Sequence, residues 1–156
     1  MGKMLGDLGR LIEGEVLTDD LSRTIYSCGA SLYRVKPLGI VQPRHKLDVI
    51  KAVQYAAERG IPITPRGGGT SRAGNEIGEG IILDFSKYMN DVLESNPEEK
   101  WGRVQPGIIL GTLNKFLKPH RLFFPIDPST KDHCTLGGMI ANNSSGPHAV
   151  KYGATR

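Results

Sequence analysis

The chain has 156 residues, with 20 Lys and Arg against 16 Asp and Glu, for a net charge of +4. That is one ordinary domain's length and a mildly basic balance. With no run of five like charges and no basic stripe interleaved with aromatics, it argues against nucleic acid as a partner. Hydrophobic residues make up 38% and charged residues 23%, which is globular composition and not that of a disordered chain. Glycine is the anomaly: 20 in 156 is about twice the usual share of ~7%. They concentrate in residues 67–80 and 137–153, without the period of a fibrous repeat.

The two cysteines, Cys28 and Cys134, are far apart and form no CxxC, which fits reduced thiols in a cytoplasmic setting. No segment approaches the roughly 18 apolar residues of a membrane span. The N-terminal stretch is broken by Asp7, Arg10 and Glu13, unlike a signal peptide's apolar run or an acid-poor transit peptide.

Residues 2–13 carry Leu5, Leu8, Leu11 and Ile12 at helical spacing, and Thr18 or Asp19 can cap a second short helix through about Ser27. Leu38–Gln42 is a short apolar run closed by Pro43 and reads as a strand. Leu47, Ile50, Val53 and Ala57 then recur on one helical face, with Asp48 in the first turn and Gly60 as the stop. Ile61–Thr64 reads as the next strand, making a β-α-β unit with parallel strands and a right-handed crossover. A patternless loop, residues 65–80, precedes a buried strand at Ile81–Phe85. Val92–Ser95 and Trp101–Gln105 flank the turn Asn96-Pro97-Glu98-Glu99-Lys100, a hairpin signature. Ile109, Leu110, Leu113, Phe116 and Leu117 give the clearest helical period in the chain. Leu122–Phe124 reads as a short strand and Leu136–Ala141 as a short helix in a Gly/Ser/Asn-rich tail. The fold class is therefore α+β, a β-α-β unit and a small mixed sheet packed by helices.

The stretch Pro65-Arg66-Gly67-Gly68-Gly69-Thr70-Ser71 follows a strand directly. Consecutive glycines let the backbone turn several N–H groups to one side, a concavity that binds anions such as a diphosphate. Thr70 and Ser71 add hydroxyl donors and Arg66 adds charge. A plain surface loop has the same composition. It is not a P-loop, because no Lys follows the glycines; nor is it a Rossmann fingerprint, because Arg72 stands where the third glycine belongs. A second low-bulk segment, from Cys134 to Gly146, speaks for an extended ligand held close to backbone. His133–Cys134 has no third ligand at metal spacing, and no metal site or catalytic residue is assigned.

The loop at 65–71, the strand Ile81–Phe85, Val104–Gly107 (VQPG), Phe124–Thr130 (FPIDPST), the CTLGGMIANNSSG from Cys134 and Lys151–Gly153 occur in one order. Together they resemble the FAD-linked oxidases of the vanillyl-alcohol-oxidase and p-cresol-methylhydroxylase (PCMH) type, in the branch of the glycolate oxidase FAD subunit and D-lactate dehydrogenase. Residues 88–107 resemble the large 2-hydroxyacid dehydrogenases that carry FAD and iron–sulfur clusters. The resemblance covers about residues 20–156. It implies that residues 1–20 are a helical lead-in and residues 21–156 the first part of a PCMH-type FAD-binding domain. The remainder, the substrate-binding cap and any iron–sulfur segment would lie beyond this piece.

Residue by residue, the resemblance puts Pro65, Arg66, Gly67, Gly68, Gly69, Thr70 and Ser71 around the FAD pyrophosphate. Pro125, Asp127 and Ser129 would run along the flavin and ribityl side. Thr135, Gly137, Gly138, Asn142, Ser145 and Gly146 would line the isoalloxazine and ribityl, and Lys151, Tyr152 and Gly153 would close the loop. Thr70 stands where a covalently flavinylating branch has His, which implies non-covalent FAD. The implied function is hydride transfer to FAD from a small 2-hydroxy acid of the D-lactate or glycolate type, with a separate electron acceptor. The piece alone would be inactive and would self-associate, and the whole protein would be cytoplasmic with room for peripheral membrane contact. A cell-wall nucleotide-sugar reductase on the same FAD fold and a non-catalytic nucleotide-binding module are the rival readings; the DPST and NPEE segments speak against the reductase.

Overall fold

The computed structural model describes residues 5–156. Part of the helix expected over 2–13 thus lies outside the described residues. Within them the helix, α1, is only Leu8–Leu11. The chain then turns into a strand that the helical reading of the lead-in did not foresee, β1 (Glu15–Leu17). Four glycines in the first 14 residues weaken a continuous helix there. α2 (Asp20–Ile25) starts where Asp19 accepts the Ser22 amide at 2.9 Å, as a capping residue should.

β2 (Gly39–Gln42), α3 (Lys46–Glu58), β3 (Ile63–Arg66) and β4 (Ile81–Asp84) build the main sheet in the order β1-β2-β4-β3. β2 and β3 are each parallel to β4, so they run in the same direction as expected, with β4 between them. β1 pairs antiparallel with β2 through Val16 and Val41. Both central strands, β2 and β4, are buried along their whole length, the burial expected of parallel strands covered on two faces. β3 starts two residues later than the sequence suggested and takes in Pro65 and Arg66, so the glycine loop proper begins at Gly67. As an edge strand β3 tolerates Pro65, which has no N–H to give.

α3 is present where expected, but its buried face is another one. Ala52, Tyr55 and Ala56 pack on Val41, Ile81 and Leu83, whereas Leu47, Ile50 and Val53 face solvent. Asp48 decides the rotation. It is fully buried and accepts the amides of Glu13, Gly14 and Arg44, each at 2.9 Å, tying the turn before β1 to the start of α3.

β5 (Val92–Asn96) and β6 (Trp101–Val104) form the expected hairpin, with a register shift between Val92 and Glu94. α4 (Leu110–Leu117) buries Leu110 and Leu113 in a second core with Ile108, Ile126, Leu136 and Met139. Leu122–Phe124 is not a strand. It runs beside α4, and Asn114 does the pairing instead, accepting the Phe124 amide at 2.7 Å. α5 (Leu136–Ala141) is capped by Thr135, and α6 (Ala149–Tyr152) is a single turn near the end of the chain. The architecture is α+β, with a mixed sheet, a hairpin and short helices.

Candidate functional site

The carboxyl ends of the three parallel strands bring Gln42, Asp84 and Arg66 to one edge of the sheet, where open α/β sheets place their ligands. Beyond Arg66 the glycine loop packs onto the segment before α5. A Cβ on Gly67 would sit 2.0 Å from Thr135 Oγ1, and one on Gly68 would sit 2.1 Å from the His133 carbonyl oxygen. Only glycine allows this approach, and Gly69 adds a left-handed turn at φ +64°. The facing segment is fixed in its turn: Leu110 N–H donates to Cys134 O at 3.1 Å, Leu136 N–H to Ile108 O at 2.9 Å and Gly137 N–H to Pro106 O at 2.9 Å.

Between these walls lies a cleft of about 760 Å³. Of the sequence-predicted residues it is lined by Pro65, Arg66, Gly67, Gly68, Gly69, Thr70, Ser71, Thr135, Gly137, Gly138 and Asn142. Pro125, Asp127, Ser129, Ser145, Gly146, Lys151, Tyr152 and Gly153 are outside its lining. Some of these form a neighbouring cluster. Asp127 Oδ2 is 2.5 Å from His148 Nδ1, Gly146 presses on Asp127, and Tyr152 meets both His148 and Phe123 edge-on. The hydrogen bond from His148 holds the Asp127 carboxyl below its usual range. Residues with no prior assignment also line the cleft, among them Arg72, Asn75, Glu76, Phe85, Pro106, Thr130, Cys134 and Ser144. Pro106, Thr130 and Cys134 belong to motifs visible in the sequence; Asn75 and Glu76 lie in the patternless loop, where nothing marks them.

Among the described residues, none of the amides of residues 67–72 donates to a backbone carbonyl. Among the described residues Arg66 likewise has no carboxylate within ion-pairing distance. Unpaired amides on a glycine turn, two arginines and the Thr70 and Ser71 hydroxyls are a donor set for a diphosphate, so the residues present fit the FAD of the family the sequence resembles. One acid stands apart from that chemistry. Glu76 is 5% exposed, and both of its oxygens are buried with no hydrogen-bond partner among the described residues. Burial raises the Cys134 thiol above its usual range, which disfavours the thiolate, and the side chain packs in the second core.

The profile of the FAD binding domain family matches residues 37–156. This chain belongs to that family. The FAD-binding domain is 40% identical over 146 residues to D-2-hydroxyglutarate dehydrogenase of Haemophilus influenzae, covering 92% of this chain and 14% of that protein. It is 33% identical over 144 residues to the glycolate oxidase subunit GlcD of Escherichia coli, covering 90% and 29%. The chain thus spans less than a third of the length of these relatives. Among solved structures it superposes on an alkyldihydroxyacetonephosphate synthase with a TM-score of 0.84 at 28% identity, over 99% of this chain and 31% of that one. On 6-hydroxy-D-nicotine oxidase of Arthrobacter nicotinovorans the TM-score is 0.79 at 26% identity, over 92% and 32%. The cofactor of the FAD-binding domain is FAD. Among its described residues no helix is long and apolar enough to cross a membrane, and no three His, Cys, Asp or Glu side chains are grouped to hold a metal.

Proposed function

We propose that this chain supplies the pyrophosphate cradle of an FAD-dependent oxidoreductase that oxidises a small 2-hydroxy acid of the D-lactate, glycolate or D-2-hydroxyglutarate type. The observation that carries the reading is the run of unpaired amides at 67–72 beside an Arg66 that has no ion-pair partner among the described residues, in a cleft of about 760 Å³. The names of its relatives add the substrate class, since D-2-hydroxyglutarate and glycolate are both 2-hydroxy acids. In this reading residues 21–156 are the first part of the domain and residues 1–20 a lead-in.

Bound FAD supplies the two-electron acceptor for the hydride leaving the substrate Cα. The chain's own residues bind and orient. Arg66 and the amides of 67–71 take the diphosphate oxygens, and Thr70 and Ser71 donate their hydroxyls to it. Thr135, Gly137 and Gly138 form the opposite wall, where little side-chain bulk lets a flat ring system lie close to backbone. Asp127, Ser145, Gly146, Lys151, Tyr152 and Gly153 would meet the part of an extended ligand that leaves the cleft. No residue here is assigned a proton-transfer role. The chain on its own therefore turns over no 2-hydroxy acid, and its apolar exterior, including Leu21, Leu32 and Val150, drives self-association.

Titration of the purified 156-residue chain with FAD, followed by flavin fluorescence, tests the reading. Saturable binding is expected, weakened at least about tenfold by Arg66→Ala, the loss of one charge-assisted contact. Acid precipitation should release all flavin into the supernatant, since Thr70 offers no covalent link. Equal FAD affinity in Arg66→Ala and the parent chain, or no binding at all, would overturn it.

A further inference from the structure

We infer that Tyr26, which precedes the segment matched to the family, is a positioning residue for the Arg66 guanidinium. The inference rests on the reading of Arg66 as a diphosphate contact. Tyr26 closes the end of α2, and its hydroxyl donates to Asp84 Oδ2 at 2.5 Å while accepting from Gln42 Nε2 at 2.9 Å. Asp84 is 3% exposed and is itself fixed by Ser86, whose amide and hydroxyl donate to Oδ1 at 2.9 and 2.7 Å. The phenol is thereby pinned to the carboxyl ends of β2 and β4. Burial and the Asp84 hydrogen bond push its pKa up to about 12, so it stays an O–H donor at any working pH.

From this anchor Tyr26 reaches Arg66 twice. The guanidinium carbon lies 5.1 Å from the ring centroid, within cation–π range, and Nη1 donates to the Tyr26 carbonyl at 3.4 Å. Neither contact neutralises the charge. A carboxylate in that place would pair with the arginine and compete with a phosphate; a ring face and a carbonyl hold it and leave its charge available. Tyr26 does not line the main cleft. It lines a smaller cavity of about 270 Å³ that shares Arg66, Gly67 and Gly68 with it, so its effect on a ligand passes through those residues. The strap it belongs to holds the loop once more, where the Ala30 amide donates to Gly69 O at 3.0 Å.

The experiment is a double-mutant cycle on the full chain, with affinities for FAD, ADP and riboflavin measured by calorimetry and fluorescence. Tyr26→Leu should weaken FAD and ADP about tenfold and leave phosphate-free riboflavin within about twofold. In an Arg66→Ala background the same substitution should have almost no effect. Tyr26→Phe keeps the ring and the carbonyl and loses only the anchor, and should weaken ADP by about two- to threefold. A loss of equal size with and without Arg66, an equal loss for riboflavin, or no loss in either variant overturns the inference. If Tyr26→Leu does not fold, Tyr26→Phe in the two backgrounds decides by the same criteria. Should Arg66→Ala leave FAD affinity untouched, it is the reading of Arg66 that fails; a drop for Arg66→Ala with none for either Tyr26 variant sinks the positioning role alone.

Discussion

Gly68→Ala is the smallest change that separates a glycine loop shaped by packing from one that is merely flexible. The added methyl would lie 2.1 Å from the His133 carbonyl oxygen and 3.0 Å from its carbon. That oxygen belongs to a backbone fixed on both sides, since the amides of His133 and Cys134 donate to Thr130 O at 2.8 and 2.7 Å. It cannot swing away as a side chain would. Relief to even the closest contact that real Cβ atoms tolerate, 3.0 Å, needs the two walls of the cleft to part by about 0.9 Å. Overpacking of this kind costs about 1–3 kcal/mol. Parting the walls also misplaces the amides of 67–72 against any ligand held from both sides, and an affinity loss of at least about tenfold, or ~1.4 kcal/mol, follows. Gly60→Ala is the control: Gly60 has φ +63° with nothing within 4 Å, so alanine meets only backbone strain of ~1–2 kcal/mol and leaves the cleft alone. Urea unfolding and FAD titration of both variants make the assay. Gly68→Ala with the parent's unfolding midpoint and FAD affinity would refute the reasoning.

Asp48→Asn should destabilise the chain by about 2–4 kcal/mol at pH 7, because an amide turns one acceptor oxygen into a donor facing backbone N–H groups that the carboxylate now satisfies. Burial pushes the Asp48 pKa up, but the amides of Arg44 and Glu13, the nearby His45 and the Gly14 amide outweigh it and leave it below the ordinary value. A depressed folded-state pKa gives stability that is complete above the unfolded value of ~3.9 and lost as pH falls through the folded one. The gap between the two proteins should accordingly close on acidification below about pH 4, as urea midpoints across pH would reveal. In the cluster beside His148, the Asp127 carboxyl should titrate below its usual range in carbon-detected NMR and return to it in His148→Ala; an unmoved titration would break the assigned pairing.

Much of the fold could be read from the sequence because its signals are local. The apolar run ending at Gln42, the turn Asn96–Lys100 and the period from Ile109 to Leu117 each specify an element without help from elsewhere. The glycine loop was legible for the same reason, and it lines the cleft. What escaped depends on contacts between distant segments. β1 exists because Val16 and Leu17 find Val41 and Ile40, and no pattern within 15–17 says so. Leu122–Phe124 has the composition of a strand but runs beside a helix, so an asparagine side chain took the role of a partner strand. Glu76 and Tyr26 reach the site from a patternless loop and from a helix end, and only the folded chain brings them beside Arg66.

The helix α3 shows how one buried carboxylate can overrule periodicity, and it yields a sharp test. Leu47, Ile50, Val53 and Ala57 form the more regular apolar stripe, yet Leu47, Ile50 and Val53 are 60%, 39% and 45% exposed. The face that packs on the sheet carries Ala52, Tyr55 and Ala56, with Asp48 at its head. A turn of the helix that buried the stripe would pull Asp48 away from three backbone amides, and its charge would lose bonds of ~1.5–3 kcal/mol each. Burying three more aliphatic side chains would return a similar sum, at ~1.5–3 kcal/mol apiece, so hydrophobicity alone does not decide the rotation. The small residues tip the balance in favour of the Asp48 bonds: Ala52 and Ala56 let the helix lie close to Val41 and Ile81, which Leu47 and Ile50 would hold off. Replacing Leu47, Ile50 and Val53 together with Gln should therefore change the monomer's unfolding free energy by no more than about 1.5 kcal/mol in total, at ~0.5 kcal/mol for each surface change. Tyr55→Ala alone should cost about 3–5 kcal/mol. If the isolated chain self-associates through this stripe, the triple variant should also sediment as a smaller species at equal concentration. A triple variant that unfolds, beside a Tyr55→Ala chain that does not, would mean the stripe is the packed face and that Asp48 does not set the rotation.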